Sequence, residues 1–319
     1  MSLWKGDNVI PNKLQYGDEI RVIAPSRSLS RVWETAYDKA LGYLTDKGFK
    51  VTFSRNSREM DEFKSSSIKS RVDDIHEAFS DKNVKMIITA IGGFNVNQIL
   101  PYLDYELIKA NPKILCGYSD ITALLHAIYA KTGLVTYHGP HFSTFGFDVE
   151  TEYTETCFFD FLMKKDEMVI KESKTSGEYF VIQEGTCEGN IIGGNLCTLN
   201  LLQGTPYMPD TNQKVLFIED DNIMGDYFVY EFDRNLQSLF QVCGADTIKG
   251  IVFGRFDDSC KLDKDVIRKI VQDKISADIP VIFGVDFGHI LPMITFPIGG
   301  KVKISAKVKD LQITLINKE

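Results

Sequence analysis

The chain has 319 residues, 44% of them hydrophobic and 25% charged, and 44 acidic against 36 basic side chains give a formal charge of -8. This excludes a wholly disordered chain and a small disulfide scaffold, and the acid surplus argues against a nucleic-acid or anionic-membrane partner, whose phosphates require basic side chains. The length predicts about two domains; no apolar run approaches the ~18–20 residues of a membrane span, and the opening MSLWKGDNVIPNKLQYGDE has no signal-peptide core, which points to the cytoplasm.

Strand and helix signals alternate in the first half. EIRVIAP (19–25) reads as a buried strand ending in a Pro-Ser loop. A helix follows with Trp33, Ala36, Tyr37, Ala40, Leu41 and Leu44 on one stripe, stopped by Gly48. FKVTF (49–53) is the next strand. Ile68, Val72, Ile75 and Phe79 mark a helix, and VKMIITAIGG (84–93) is a buried strand running into a glycine turn. KILCGYSD (113–120) is a strand, ITALLHAIYAKTG a helix ended by Gly133, and LVTYHGP (134–140) a short strand. Repeated strand–helix units with continuous apolar strands predict a parallel sheet covered on both faces, with ligands at the strands' carboxyl ends.

From about His141 to Thr186 the pattern changes. TEYTETCFFDFLMKKDE reads as a helix carrying Phe158, Phe159 and Leu162, and KESKTSGEY as a polar loop joining two domains. Beyond Gly189 come a short strand and glycine turn in NIIGGN, a strand in KVLFIED (214–220) and a helix from about Tyr227 to Val242. KGIVFG is a strand, LDKDVIRKIVQDKI a helix and PVIFGVDFG a strand, and TFPIGG, KVKISA and LQITLI form a β-rich tail. The fold class is therefore α/β. An N-terminal parallel-sheet domain of flavodoxin or Rossmann type (1–150) is followed by a connector (151–188) and a C-terminal α/β domain (189–319).

Six cysteines form no CxxC pair and no zinc spacing, and several lie in apolar runs, as expected of free buried thiols in a reducing compartment. The five histidines, His76, His126, His138, His141 and His289, show no HExxH or paired spacing for a metal. His76 reads as a surface residue. His138 and His289 each follow a strand and are candidate site residues; a satisfied structural role is the alternative for both.

Gly117-Tyr118-Ser119-Asp120 turns from a buried strand into a helix. That geometry lifts a serine above the sheet edge beside helical N–H groups, although Ser-Asp before a helix is also ordinary N-cap chemistry. Gly92-Gly93 ends another strand, where the backbone can approach a ligand closely or simply turn. AIGGFN matches neither GxGxxG nor a P-loop. Glu219 closes the strand VLFIE, where a carboxylate either orients a histidine or stands in water.

Taken in order, YGDEIRVIAPS, ITAIGGFNVNQILPYLDYELIKANPKILCGYSDITALLHAIYAKTG, YHGP, GNIIGGNLCTLNLLQGTPYMPD, VLFIEDD and FGHILPMITFPIG resemble the LD-carboxypeptidase family of serine peptidases, most closely its microcin C immunity protein branch. The resemblance implies a Ser-Glu-His triad: Ser119 in GYSD as nucleophile, Glu219 in FIED as acid, and His289 in FGH as base. The backbone N–H groups of Gly92, Gly93 and Asp120 are the expected oxyanion hole. The resemblance implies an active site in the cleft between the two domains, no metal or organic cofactor, a homodimer, and a small-peptide or aminoacyl-nucleotide substrate. AIGGFN and LPMITFPIG favour the nucleotide branch, because murein enzymes of the family carry an arginine-glycine-glycine-tyrosine turn. In the other direction, the stretch from Lys171 to Glu188 is short and lacks the nucleobase-stacking tryptophan of immunity peptidases; Tyr179 and Phe180 are the aromatic residues there. A murein tetrapeptide LD-carboxypeptidase is the alternative. A binding protein on the same fold is a third reading, which the three intact triad positions disfavour.

Overall fold

A computed structural model describes residues 3–147, 151–244, 247–272, 274–275 and 278–317. The expected boundary at 150 and Asp273 of the predicted LDKDVIRKIVQDKI helix lie outside the described residues. Two sheets, of six and eight strands, organise the chain.

The first half supplies β1 (Glu19–Ile23), α1 (Glu34–Asp46), β2 (Lys50–Phe53), α2 (Ile68–Ser80), β3 (Val84–Thr89), α3 (Tyr105–Ala110), β4 (Ile114–Gly117), α4 (Thr122–Thr132) and β5 (Thr136–His138). β2, β1, β3, β4 and β5 pair in parallel in that spatial order. β1 and β4 are buried along their whole length, as a sheet covered on both faces requires. α2 buries Val72, Ile75 and Phe79 as their spacing predicts, and Gly133, at φ 72°, caps α4 in the left-handed conformation. Trp33 departs from its predicted stripe. α1 begins one residue later, so the indole precedes the first turn and is 78% exposed, while Ala36, Ala40 and Leu44 are buried.

The second half supplies α5 (Thr151–Phe159), β6 (Glu167–Val169), β7 (Phe180–Gln183), β8 (Gly185–Asn195), α6 (Leu196–Asn200), β9 (Lys214–Glu219), α7 (Phe228–Cys243), β10 (Gly250–Gly254), α8 (Lys264–Gln272), β11 (Val281–Val285), β12 (Phe296–Ile298), β13 (Lys301–Lys307) and β14 (Asp310–Ile316). Its sheet runs β6-β14-β13-β8-β9-β10-β11-β7, with β8 to β11 parallel and the flanks antiparallel.

Two pairings depart from the linear division of the chain. β6 and β7, from the stretch read as connector, form the two edges of the second sheet. β12, from the tail, pairs antiparallel with β5 and closes the first sheet. The two layers are thus interlocked by chain crossing, and one apolar core runs through both, from Ile20 and Leu115 to Phe217 and Val285. Cys116, Cys157, Cys243 and Cys260 are buried free thiols as expected; Cys187 and Cys197 are half-buried. Among the described residues no helix is long and apolar enough to cross a membrane.

Candidate active site

Ser119 follows β4, Glu219 ends β9 and His289 lies four residues past β11, each at the carboxyl end of a parallel strand. The fold brings the three together. His289 Nε2 is 2.9 Å from Ser119 Oγ, and His289 Nδ1 is 2.7 Å from Glu219 Oε2. The serine comes from the first sheet, the acid and imidazole from the second.

Ser119 has φ 62°, in the left-handed region where a serine is strained. Its hydroxyl caps neither the following single turn nor α4; it faces His289. Gly117 lets this tight turn sit on β3, since a Cβ there would lie 2.3 Å from Thr89 Oγ1. Glu219 is fully buried, so the reading of a loop acid in water does not hold. A Cβ at Gly288 would stand 3.4 Å from Glu219 Oε2, and Gly288 has φ 121°, so this turn needs glycine both for space and for conformation.

Burial by itself would lower the basicity of His289. The Glu219 charge and its hydrogen bond, with Asp221 and Asp220 behind them, outweigh burial and push the imidazole up to about 9. Asp220, which is buried and crowded by Glu219 and Asp221, is pushed up to about 8. The Asn195 side-chain amide donates to Asp220 and Asp221, 3.1 Å to each. Cys197, Asp220 and Asp221 bring three metal-type donor atoms within 4.8 Å of one another, a grouping that sequence spacing did not reveal.

The remaining predicted residues sit around the serine. A Cβ at Gly92 would lie 2.9 Å from Ser119 Oγ, so this turn packs directly on the hydroxyl. Gly93 packs on the loop after β1, where a Cβ would meet Ser26 Oγ at 2.1 Å. The Asp120 carboxylate accepts from Ser26 Oγ at 2.5 Å and from the Val96 N–H at 2.9 Å, pinning both loops to the serine turn. Buried Arg71 donates to the carbonyls of Pro25 and Asn95 and holds the same two loops from behind.

His138 is not at the reacting centre. It is 1% exposed and stacks on Phe296 at 4.5 Å, and among the described residues neither ring nitrogen has a hydrogen-bond partner. His76 is half-buried and accepts from the Asp104 N–H at 2.8 Å. Two residues to which no motif gave a role do reach the site. Tyr118 stacks on His141 at 4.2 Å and lies edge-on to His289 at 5.3 Å. His141 bonds Thr89 Oγ1 through Nδ1 at 2.7 Å. Tyr179, in the connector, gives its hydroxyl to Asp286 at 2.8 Å, and Phe180 lies in edge strand β7 under Lys264. A cavity of about 670 Å³ opens along the connector, lined by Tyr153, Cys157, Lys165, Lys171 and Lys174 among others; no triad position lines it.

Ser119, His289 and Glu219 thus stand hydrogen-bonded in series where the two sheets meet. Residues 20–139 match the LD-carboxypeptidase N-terminal domain, and residues 188–304 the LD-carboxypeptidase C-terminal domain. The chain belongs to the LD-carboxypeptidase family. It is similar to an MccF-like protein from Bacillus anthracis str. Ames, with a TM-score of 0.94 and 47% identity over 97% of this chain and 99% of that one. It is 32% identical to the microcin C7 self-immunity protein MccF of Escherichia coli, over 94% of each chain. MccF has been solved in complex with aspartyl sulfamoyl adenosine (TM-score 0.87, 28% identity, over 97% of this chain and 99% of that one) and with glutamyl sulfamoyl guanosine. A muramoyltetrapeptide carboxypeptidase from Oxalobacter formigenes superposes with a TM-score of 0.77 at 26% identity, over 93% of this chain and 98% of that one.

Proposed function

We propose that this protein is a serine carboxypeptidase that hydrolyses the C-terminal amide of an aminoacyl-nucleotide or small peptide. The observation that carries the reading is the continuous chain from Ser119 Oγ through His289 to Glu219, 2.9 Å and 2.7 Å. A serine hydroxyl is a poor nucleophile while protonated. His289 Nε2 takes its proton as Oγ attacks the carbonyl carbon, then returns that proton to the leaving amine. Glu219 holds the imidazole with Nδ1–H toward it and balances the imidazolium charge. The N–H groups of Gly92, Gly93 and Asp120 are the donors proposed for the oxyanion; losing one such donor typically costs about 3–4 kcal/mol. Water, deprotonated by His289, then cleaves the acyl-enzyme and frees Ser119.

Similarity to MccF supports an aminoacyl-nucleotide substrate, since MccF itself is held with aminoacyl sulfamoyl nucleosides. One observation favours the second reading, a murein tetrapeptide. The connector carries no tryptophan, and Tyr179 is anchored by its hydroxyl to Asp286. The substrate test offers both classes side by side and reads products by mass spectrometry: D-alanine from the tetrapeptide, or free amino acid from the nucleotide analogue. The mechanistic test is a serine-directed covalent probe. Labelling at Ser119, lost in Ser119→Ala together with turnover, is the expected result. A folded Ser119→Ala variant that still hydrolyses refutes the nucleophile, and an unlabelled, inactive wild type favours a binding protein.

A further inference from the structure

We infer that Arg27 is the anion clamp of this site, gripping the acidic group of the substrate beside the attacked carbonyl. That group is the free terminal carboxylate of a peptide or the anionic linkage of an aminoacyl-nucleotide. The inference rests on the hydrolase reading above and adds the residue that selects the substrate's charge.

The Gly92-Gly93 turn touches the serine at one glycine and Arg27 at the next. A Cβ at Gly92 would stand 2.9 Å from Ser119 Oγ, one at Gly93 would stand 2.9 Å from Arg27 Cγ, and the Arg27 N–H donates to the Gly92 carbonyl at 3.3 Å. Arg27 therefore rises one residue along the turn from the hydroxyl. A C-terminal amino acid likewise carries its carboxylate one residue, roughly 3.5 Å of chain, beyond the carbonyl under attack.

The guanidinium is oriented and uncommitted. It lies 4.8 Å over the ring of Phe94, which is itself 62% exposed, and among the described residues no ion pair joins it to a carboxylate. The other buried or half-buried arginines are spoken for: Arg21 by Glu19, Arg255 by Asp286, and Arg71 by backbone carbonyls. The backbone under Arg27 is rigid. Ser26 is fully buried, its hydroxyl given to Asp120 at 2.5 Å and its carbonyl held by Ser65 Oγ at 2.5 Å. Stacking on an aromatic face leaves the guanidinium edge open, and that edge matches a carboxylate or phosphoryl group bidentately. The chain carries a formal charge of -8, so a fixed cation beside the serine favours an anionic substrate over a neutral one.

The test compares wild type with Arg27→Ala, Arg27→Lys and Phe94→Leu. Peptide substrates ending in a free carboxylate are set against the same peptides as carboxamides, with an aminoacyl sulfamoyl adenosine in parallel. Arg27→Ala is expected to raise KM for the acid roughly 10- to 100-fold with a much smaller change in kcat, collapsing the acid-over-amide preference. Arg27→Lys recovers part of it, because a point charge does not replace the fork, and Phe94→Leu falls between. A loss confined to the peptide arm assigns the carboxylate, and one confined to the nucleotide arm assigns its linkage. An acid-over-amide ratio and a nucleotide KM both unmoved by Arg27→Ala overturn the clamp. If wild type turns over neither class, the hydrolase reading fails separately. Calorimetric titration of the same ligands onto Ser119→Ala and Ser119→Ala/Arg27→Ala then reads Arg27 alone: weaker binding by the double variant sustains the clamp, and equal or undetectable binding by both removes it.

Discussion

His126 Nε2 accepts a hydrogen bond from the Gly193 N–H at 3.0 Å, which ties α4 of the first layer to β8 of the second. Its Nδ1–H is given to the Thr122 carbonyl at 2.8 Å, so both nitrogens are satisfied only in the neutral ring. Burial pushes this imidazole down to about 4 and the neighbouring His138 down to about 3. Burial also holds His141 well below the usual histidine range.

These three rings set an acid limit on stability. A histidine whose folded pKa lies below its unfolded value of about 6.5 stabilises the fold above pH 6.5, and that contribution fades as pH falls toward the folded value. Each contributes a slope of about 1.4 kcal/mol per pH unit in that window. Urea midpoints measured between pH 7 and 4.5 are expected to fall steeply, and His126→Gln is expected to flatten the slope while weakening the tie between the layers.

His289, the proposed base, has the opposite sign. Raised to about 9, His289 is mostly protonated at neutral pH and cannot take the serine proton. The kcat/KM profile is therefore expected to climb tenfold per pH unit through neutrality and level off above about 9. Asp221→Asn removes one of the charges that raise it, so the climb is expected to end at lower pH. A pH-independent rate between 6 and 9 in wild type contradicts His289 as the base. By linkage, the Glu219–His289 pair stabilises the fold fully below pH 6.5 and loses that contribution as pH rises through about 9.

Gly92→Ala isolates the turn that packs on the serine. Gly92 has an ordinary backbone φ, so alanine introduces only its methyl, 2.9 Å from the Cβ and Oγ of Ser119. Displacing the proposed nucleophile by a fraction of an ångström is expected to cost roughly 100-fold or more in kcat/KM, against about 1–3 kcal/mol of stability. Steady-state kinetics beside thermal unfolding separates the two effects.

Asp120→Asn tests the pin between loops. The Ser26 hydroxyl and the Val96 N–H both give to Oδ2, so asparagine keeps the size and one acceptor oxygen but puts an NH2 group in place of the other and removes the negative charge beside Arg71. Loss of about 1–3 kcal/mol is expected, with reduced turnover. Amide hydrogen exchange at Val96 reports whether the glycine turn has loosened.

Much of the first sheet was legible because its strands are apolar throughout and its helices carry a clean stripe; Val72, Ile75 and Phe79 fall as their spacing predicts. Ser119, Glu219 and His289 came from a resemblance of ordered blocks, since alone each had an equally ordinary structural explanation. Trp33, the strands within the connector and the pairing of β12 with the first sheet were misjudged or unseen, although TFPIGG itself was legible as a β element. Three-residue strands carry almost no periodicity, and their pairing is set by partners more than a hundred residues away, as with Phe296 against His138.

The sequence by itself determined which segments are apolar enough to be strands of a double-faced sheet and which residues match the family's chemistry, because local composition and order suffice for both. The tertiary structure alone decided that Ser119 adopts φ 62° and faces His289 rather than capping a helix, that His138 is core, and that Arg27 stands free over Phe94. Those outcomes depend on contacts across two interlocked layers, where distance along the chain carries no information about distance in space.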